Sequence, residues 1–271
     1  EGAFPKFGKR RRCMEKQQKS LHLKASENFK SLTTILFDLD GTLLPMDQEA
    51  FMKIYFGELS KRCLPLGYEP KALIDAVWKG TGAMVKNDGS MKNKDRFWKV
   101  FASLIGEQVY EQIPVFDDFY TREFHKVMDA TQPDAWADKC VKLAKEKGYT
   151  VVLATNPLFP RAGTLARIGW AGMDPQDFSL ITTYEDSSYC KPNPAYYEEI
   201  LSILSKRPEE CMMIGNDVSE DMVAADMGME FYLVDTCLLN SKNRDVNGVR
   251  RGSLRELYSF LSALPAREAN M

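Results

Sequence analysis

Short apolar runs, each about the length of a buried strand, recur along the chain. They are Thr34-Ile35-Leu36-Phe37, Thr150-Val151-Val152-Leu153-Ala154, Phe178-Ser179-Leu180-Ile181-Thr182, Cys211-Met212-Met213-Ile214 and Glu230-Phe231-Tyr232-Leu233-Val234. Between them the apolar positions shift to a helical period. Residues 135–147 carry Ala137, Cys140, Val141 and Ala144 on one face, and Gly148 stops the helix. Residues 195–204 follow Pro192 and Pro194, which suits a helix start, and residues 219–227 end at Gly228. Strands alternating with helices predict βαβ units. The expected fold is α/β, with a doubly wound, parallel, Rossmann-like sheet.

Residues 45 to about 130 break this rhythm. No strand pattern occurs there, whereas helical patterns recur around residues 49–63, 71–85, 94–104 and 116–128, punctuated by Pro65, Gly67, Pro70, Gly89 and Pro114. A connection of that length is too long for a loop and predicts a small domain. The expected organisation is a flexible N-terminal extension at 1–31, a core domain at 32–44 and 130–271, and a helical cap domain at 45–129 inserted after the first strand.

Composition adds exclusions. The 271 residues, 44% of them hydrophobic, suffice for a substantial core. The 36 basic and 38 acidic residues leave a net charge of −2, with no overall attraction to nucleic acid or a membrane surface. The basic run Lys6-Phe7-Gly8-Lys9-Arg10-Arg11-Arg12 reads as a solvated tail, ahead of a nucleic-acid contact or an address signal. Met14 offers an ordinary start, so residues 1–13 read as non-native or as a misplaced start. Cys13, Cys63, Cys140, Cys190, Cys211 and Cys237 form no CxxC pair, which speaks against a zinc site or a disulfide framework. No signal-peptide pattern is visible, and no apolar run approaches the roughly 20 residues of a membrane helix. A cytoplasmic location is the expectation.

Ligands of open α/β sheets bind at the carboxyl ends of the strands, so the residues after each strand matter most. Asp38-Leu39-Asp40-Gly41-Thr42 follows the first strand. Carboxylates at i and i+2 leave an extended strand on the same side and repel unless a cation or a proton intervenes. That suits a magnesium site with one nucleophile and one acid/base. Thr155-Asn156 follows the second strand and reads either as a phosphate cradle or as an N-cap for a helix beginning near Pro160. Lys191-Pro192 follows the third, where a buried lysine would neutralise phosphate charge. Gly215-Asn216-Asp217-Val218-Ser219-Glu220-Asp221 follows the fourth, with acids suited either to a hard cation or to capping a helix. The histidines, His22 and His125, lie outside these motifs, which argues against a His-based triad.

With FDLDGTLL at 37–44, ATN at 154–156, KP at 191–192 and GNDVSED at 215–221, the sequence resembles the haloacid dehalogenase superfamily. The likeness is to its phosphatase branch with a type-one helical cap, including phosphoglycolate phosphatase-like members. It implies a Mg²⁺-dependent hydrolase of small phosphomonoesters. Asp38 would attack phosphorus to form an aspartyl-phosphate. Asp40 would protonate the leaving alcohol and then activate water. Thr155, Lys191 and backbone N–H groups around Asp38–Asp40 and Asn156 would bind phosphate. Mg²⁺ would contact the Asp38 carboxylate, the Asp40 main-chain carbonyl and an acid of the last motif. Family members usually carry GD at the start of that motif, and here Asn216 intervenes. Asp217 is preferred because an anionic oxygen binds Mg²⁺ better than an amide, with Asn216 and Asp221 as alternatives.

Competing readings are a true dehalogenase, which would lack Asp40, a phosphomutase, a phosphonate hydrolase and a non-catalytic phospholigand-binding protein. A phosphonate hydrolase needs a cap lysine such as Lys53 or Lys79. The cap aromatics Phe51, Tyr55, Phe56, Trp78, Phe97, Trp98 and Phe101 read mostly as core, with some facing substrate, and Phe159 and Pro160 as candidate lining of the cleft. Residues 92–96 read as a solvated loop.

Overall fold

A computed structural model describes residues 29–267. The basic run, Cys13, Met14 and His22 lie outside the described residues. Six parallel strands form one sheet in the order β3-β2-β1-β4-β5-β6. They are β1 (Thr34–Phe37), β2 (Thr150–Leu153), β3 (Leu180–Ile181), β4 (Cys211–Gly215), β5 (Glu230–Val234) and β6 (Arg251–Gly252). In β1, Ile35 and Phe37 point to one face and Leu36 to the other, and both sets are fully buried. The first face packs on α5 (Ala135–Glu146) and α9 (Leu254–Ala263), and the second on Tyr196, Tyr197 and Ile200 of α7 (Pro194–Leu204). Helices on both faces explain why the strands read as continuous apolar runs rather than alternating ones.

Between β1 and β2 the chain is helical. It forms α1 (Gln48–Cys63), α2 (Pro70–Val85), α3 (Asn93–Ile105), α4 (Val109–Thr121) and a 3₁₀ segment, Glu123–Ala130. These elements bury a mainly aromatic cluster of their own around Tyr55, Trp98, Phe101, Phe119 and Phe124. The helix expected over 116–128 is instead two elements broken at Arg122, and Pro114 lies inside α4 rather than before a helix. Residues 92–96 are not a solvated loop. They open α3, where the fully buried Asn93 donates from Nδ2 to the Tyr189 carbonyl at 3.1 Å, and Lys94 N–H donates to the Tyr184 carbonyl at 2.8 Å. The helical layer is thus fastened to the sheet layer on the side of Lys191.

Three further features depart from the sequence expectation. Phe29, assigned to the flexible extension, is buried against Phe260, with ring centroids 5.7 Å apart. Helix α9 and the two-residue β6 were not expected. Helix α6 (Arg161–Trp170) starts at the proline foreseen as a helix start. The remaining helix, α8, is a single turn at Val223–Asp226, shorter than the pattern over 219–227 implied. The described cysteines are free, and all but Cys237 are buried. Among the described residues no helix is long and apolar enough to cross a membrane.

Candidate active site

Strand order reverses between β1 and β4, and the crevice at their carboxyl ends collects the motif residues. Asp38 N–H donates to the Ile214 carbonyl at 2.9 Å, so the first aspartate is fixed by β4 as it leaves β1. Its carboxylate is nearly buried and held on both oxygens. Lys191 Nζ donates to Oδ1 at 2.9 Å, and Thr42 Oγ1 lies 2.9 Å from Oδ2. The same Thr42 hydroxyl stands 2.8 Å from Asn216 Oδ1, and its one proton serves one of the two acceptors at a time. The Lys191 side chain is fully buried and also donates to Asp221 Oδ1 at 2.7 Å. Burial disfavours the ammonium, but Asp221 and Asp38 together outweigh it and hold the Lys191 pKa well above that of an ordinary lysine.

Asp40 occupies a different environment. One oxygen, Oδ2, takes a charge-assisted hydrogen bond from Arg167 Nη1, and the other, Oδ1, is buried with no partner among the described residues. Burial raises the Asp40 carboxyl above its ordinary value, Arg167 opposes that, and the nearby Asp38 charge adds to it. Arg167 was not foreseen from sequence. It is fully buried on α6, donates from Nε to the Gly163 carbonyl at 3.1 Å, and stacks on the Phe159 ring at 4.3 Å.

The other motif residues divide. Thr155 is buried at the end of β2, and its carbonyl accepts from Thr182 Oγ1 at 2.7 Å and Tyr196 Oη at 2.9 Å. It does not cap α6, whose N-cap is Pro160. The Asn156 side chain is committed to the scaffold. Its Oδ1 accepts from Lys191 N–H at 3.2 Å and its Nδ2 donates to Glu220 Oε2 at 3.0 Å, so it ties two loops together rather than facing a phosphate. Asp217 is engaged in the turn that follows it. Its Oδ1 accepts from the N–H groups of Ser219 at 2.7 Å and Glu220 at 3.1 Å, the capping alternative. Asn216, not Asp217, projects to Thr42, whose hydroxyl also reaches the Asp38 carboxylate. Asp221 serves the lysine, and its Oδ2 accepts from Asp217 N–H at 2.9 Å. Burial pushes the Glu220 carboxyl up to about 7, with Lys191 pulling it down and Asp221 raising it further.

Among the described residues no three Asp, Glu, His or Cys side chains stand grouped as metal ligands. A cation at the strand ends would meet an oxygen set of the Asp38 carboxylate and the Asn216 amide oxygen. That set suits a hard divalent ion such as Mg²⁺, which keeps several waters and needs only one or two carboxylates.

Comparison with known proteins shows the family. The haloacid dehalogenase-like hydrolase family matches residues 32–227. The chain belongs to that family. A glyceraldehyde 3-phosphate phosphatase of Methanothermobacter thermautotrophicus is 25% identical over 222 residues, covering 79% of this chain and 91% of the relative. The pyrophosphatase PpaX of Halalkalibacterium halodurans is 22% identical over 203 residues, covering 75% and 83%. A haloacid dehalogenase phosphatase structure from Thermococcus onnurineus shares the fold with a TM-score of 0.54 at 18% identity, covering 87% of this chain and 100% of the other.

In this haloacid dehalogenase-like hydrolase a cavity of about 360 Å³ opens beside Asp40 between the helical layer and the sheet. All seven cap aromatics assigned mainly to the core line it, as do Phe159 and Pro160. Two glycines set how closely the motif loops approach, Gly41 and Gly215, and the first is the more constrained. Gly41 sits at φ +83°, a left-handed conformation, and a Cβ there would collide with the Asn216 amide. Gly41→Ala should therefore lower stability by about 1–3 kcal/mol, read as a shifted urea midpoint. It should also displace Asn216. An unchanged midpoint would show that the loop can relax.

Proposed function

We infer that this hydrolase cleaves phosphate monoesters with Mg²⁺ through an aspartyl-phosphate on Asp38. The observation that carries this reading is the contrast between the two aspartates. Asp38 is held on both oxygens by Lys191 and Thr42, whereas Asp40 keeps one buried oxygen without a partner among the described residues, and burial favours its protonated form. A carboxylate fixed on both oxygens beside a carboxyl that burial raises is an arrangement suited to a nucleophile and a general acid.

In the first step an Asp38 oxygen bonds to phosphorus as the P–O bond to the leaving group breaks, and Asp40 gives its proton to the departing oxygen. In the second, Asp40 takes a proton from water, whose oxygen displaces Asp38 from phosphorus. The net reaction consumes one water and yields alcohol and inorganic phosphate. Lys191 and the Thr155 hydroxyl balance phosphate charge, while Asn156 and Asp221 hold Lys191 in place. The Asp38 carboxylate, the Asp40 carbonyl and Asn216 Oδ1 are the groups that would hold Mg²⁺, which would supply further neutralisation of phosphoryl charge. Asn216 replaces the preferred Asp217 in this assignment because Asp217 is engaged as a turn cap. The phosphonate alternative finds less support. Lys53 and Lys79 are exposed, and among the described residues no lysine lines the cavity.

Hydrolysis of para-nitrophenyl phosphate tests the reading. Activity should require added Mg²⁺, disappear with EDTA and return when Mg²⁺ is restored in excess. Rapid acid quenching should trap phosphate on the protein. Turnover indifferent to EDTA would remove the metal from the scheme, and the absence of any phosphoprotein under burst conditions would remove the covalent step.

A further inference from the structure

The cavity beside Asp40 has a chemical character of its own. Its wall is built from Phe51, Phe56, Trp78, Phe97, Phe101 and Phe159. The Tyr55 and Tyr120 hydroxyls, which also reach it, face each other at 2.9 Å, so that one donates to the other. Arg167 is the one cation on the lining among the described residues, and it is committed to Asp40, the Gly163 carbonyl and the Phe159 ring. The remaining charge there is Asp117, an anion. Among the described residues the other polar groups on the lining are Gln48, Thr81, the Tyr184 hydroxyl and the indole N–H groups of Trp78 and Trp98.

These features bear on the group attached to the phosphate. A second phosphate or a carboxylate would enter a site with no free cation among the described residues and an acid already present, at a desolvation cost. A sugar would leave most of its hydroxyls without partners against aromatic rings. An apolar chain or ring would exchange water for hydrocarbon along the whole wall. The volume of about 360 Å³ lies in the range that accommodates a small organic ligand.

We propose that the leaving group is a hydrophobic alcohol, so that the hydrolase acts on phosphate monoesters of apolar or aromatic alcohols rather than on pyrophosphate, phosphoglycolate or sugar phosphates. This substrate class rests on the phosphatase reading above. Asp40 Oδ1, buried and unpartnered where the cavity meets the strand ends, is the atom that would meet the ester oxygen.

Two measurements separate the substrate class from the chemistry. The first is turnover of n-alkyl phosphates from ethyl to octyl, whose leaving alcohols are closely matched in acidity, beside glycerol 3-phosphate and phosphoglycolate. kcat/KM should rise about threefold per methylene until the cavity is full. The longer esters should exceed both polar substrates by roughly 50-fold or more, since such gains multiply along the series. The second uses octylphosphonate and methylphosphonate, which are not hydrolysed, and reads binding by quenching of the fluorescence of Trp78 and Trp98 on the cavity wall. Octylphosphonate should bind much more tightly, and Trp78→Ala should reduce its advantage about three- to tenfold. Trp78 is 52% exposed and lies tilted against Phe56 with ring centroids 5.4 Å apart, so its truncation should leave the fold intact.

A flat or falling alkyl series beside efficient cleavage of glycerol 3-phosphate or phosphoglycolate would overturn the proposal. Equal binding of the two phosphonates would overturn it too. Tight, Trp78-dependent binding of octylphosphonate without hydrolysis of any ester would support the apolar site and refute the phosphatase reading instead.

Discussion

Asp38→Asn should lower kcat by at least about four orders of magnitude while leaving the protein folded. The size follows from the nucleophilic role proposed for Asp38 in a concerted site, where single removals cost nearly as much as dismantling the whole. The fold survives because the amide keeps both contacts. The oxygen of the substituted side chain can still accept from Lys191. Its nitrogen can donate to the Thr42 hydroxyl, which then directs its proton to Asn216 Oδ1 at 2.8 Å. Lys191 keeps Asp221 as its counter-ion. The check is initial-rate kinetics with para-nitrophenyl phosphate beside a circular dichroism melt of both proteins. Activity within tenfold of the wild type would show that another group attacks phosphorus, and Asp38 would then be a ligand or a support. A melt lowered by many degrees would mean the substitution has disturbed more than the nucleophile, and trapping of phosphate on the wild-type protein would decide the point.

The parts of this site readable in the sequence are those that a strand end dictates. An apolar strand followed by Asp-x-Asp-Gly places two carboxylates on one side of a sheet edge wherever that strand sits, so Asp38 and Asp40 needed no tertiary information. Lys191 was readable more weakly, through prolines that fix its backbone. At Asn216 and Asp217 local chemistry and placement point to different residues. Charge alone favours Asp217 as a cation ligand, but β4 ends at Gly215 and the residue directly after it faces Thr42. The next residue is turned into capping the N–H groups of Ser219 and Glu220. Arg167 left no local trace. An arginine within an ordinary amphipathic helix is expected to face water, and only the packing of α6 against the β1 loop brings it to Asp40. The cap aromatics show a third limit. Helical periodicity assigns them to an inward face but cannot distinguish an inward face that is packed from one that borders a cavity. β6 is two residues long, below any pattern a strand search can use, and the break at Arg122 carries neither glycine nor proline to announce it.

Removing the cation at the centre of the site should be the most destabilising single change. Lys191→Met preserves much of the side-chain volume but leaves Asp38 and Asp221, 7% and 1% exposed, facing each other without a counter-charge. Breaking a buried pair by deleting one partner costs about 3–5 kcal/mol, because the remaining charge stays desolvated. That should appear as a lower urea midpoint at unchanged slope. The loss should depend on pH with a definite sign. Asp221 is raised by burial even with Lys191 opposing, and without the lysine it rises further. An acid whose folded-state pKa exceeds its unfolded value of 3.8 binds its proton more tightly in the folded protein. Folding therefore weakens as pH climbs through the folded pKa. The variant's deficit should be widest near about pH 8 and narrow toward about pH 5. Adding Asp221→Asn should restore at least half of the lost stability, since the amide removes one stranded charge and can still accept from Asp217 N–H. It should not restore turnover, because neither a thioether nor an amide can neutralise a phosphate, and kcat should remain about a thousandfold down. Recovery of stability without recovery of rate would separate the two tasks of Lys191, holding the acids together and meeting the substrate's charge. A double variant that regained activity would leave Lys191 a structural residue alone.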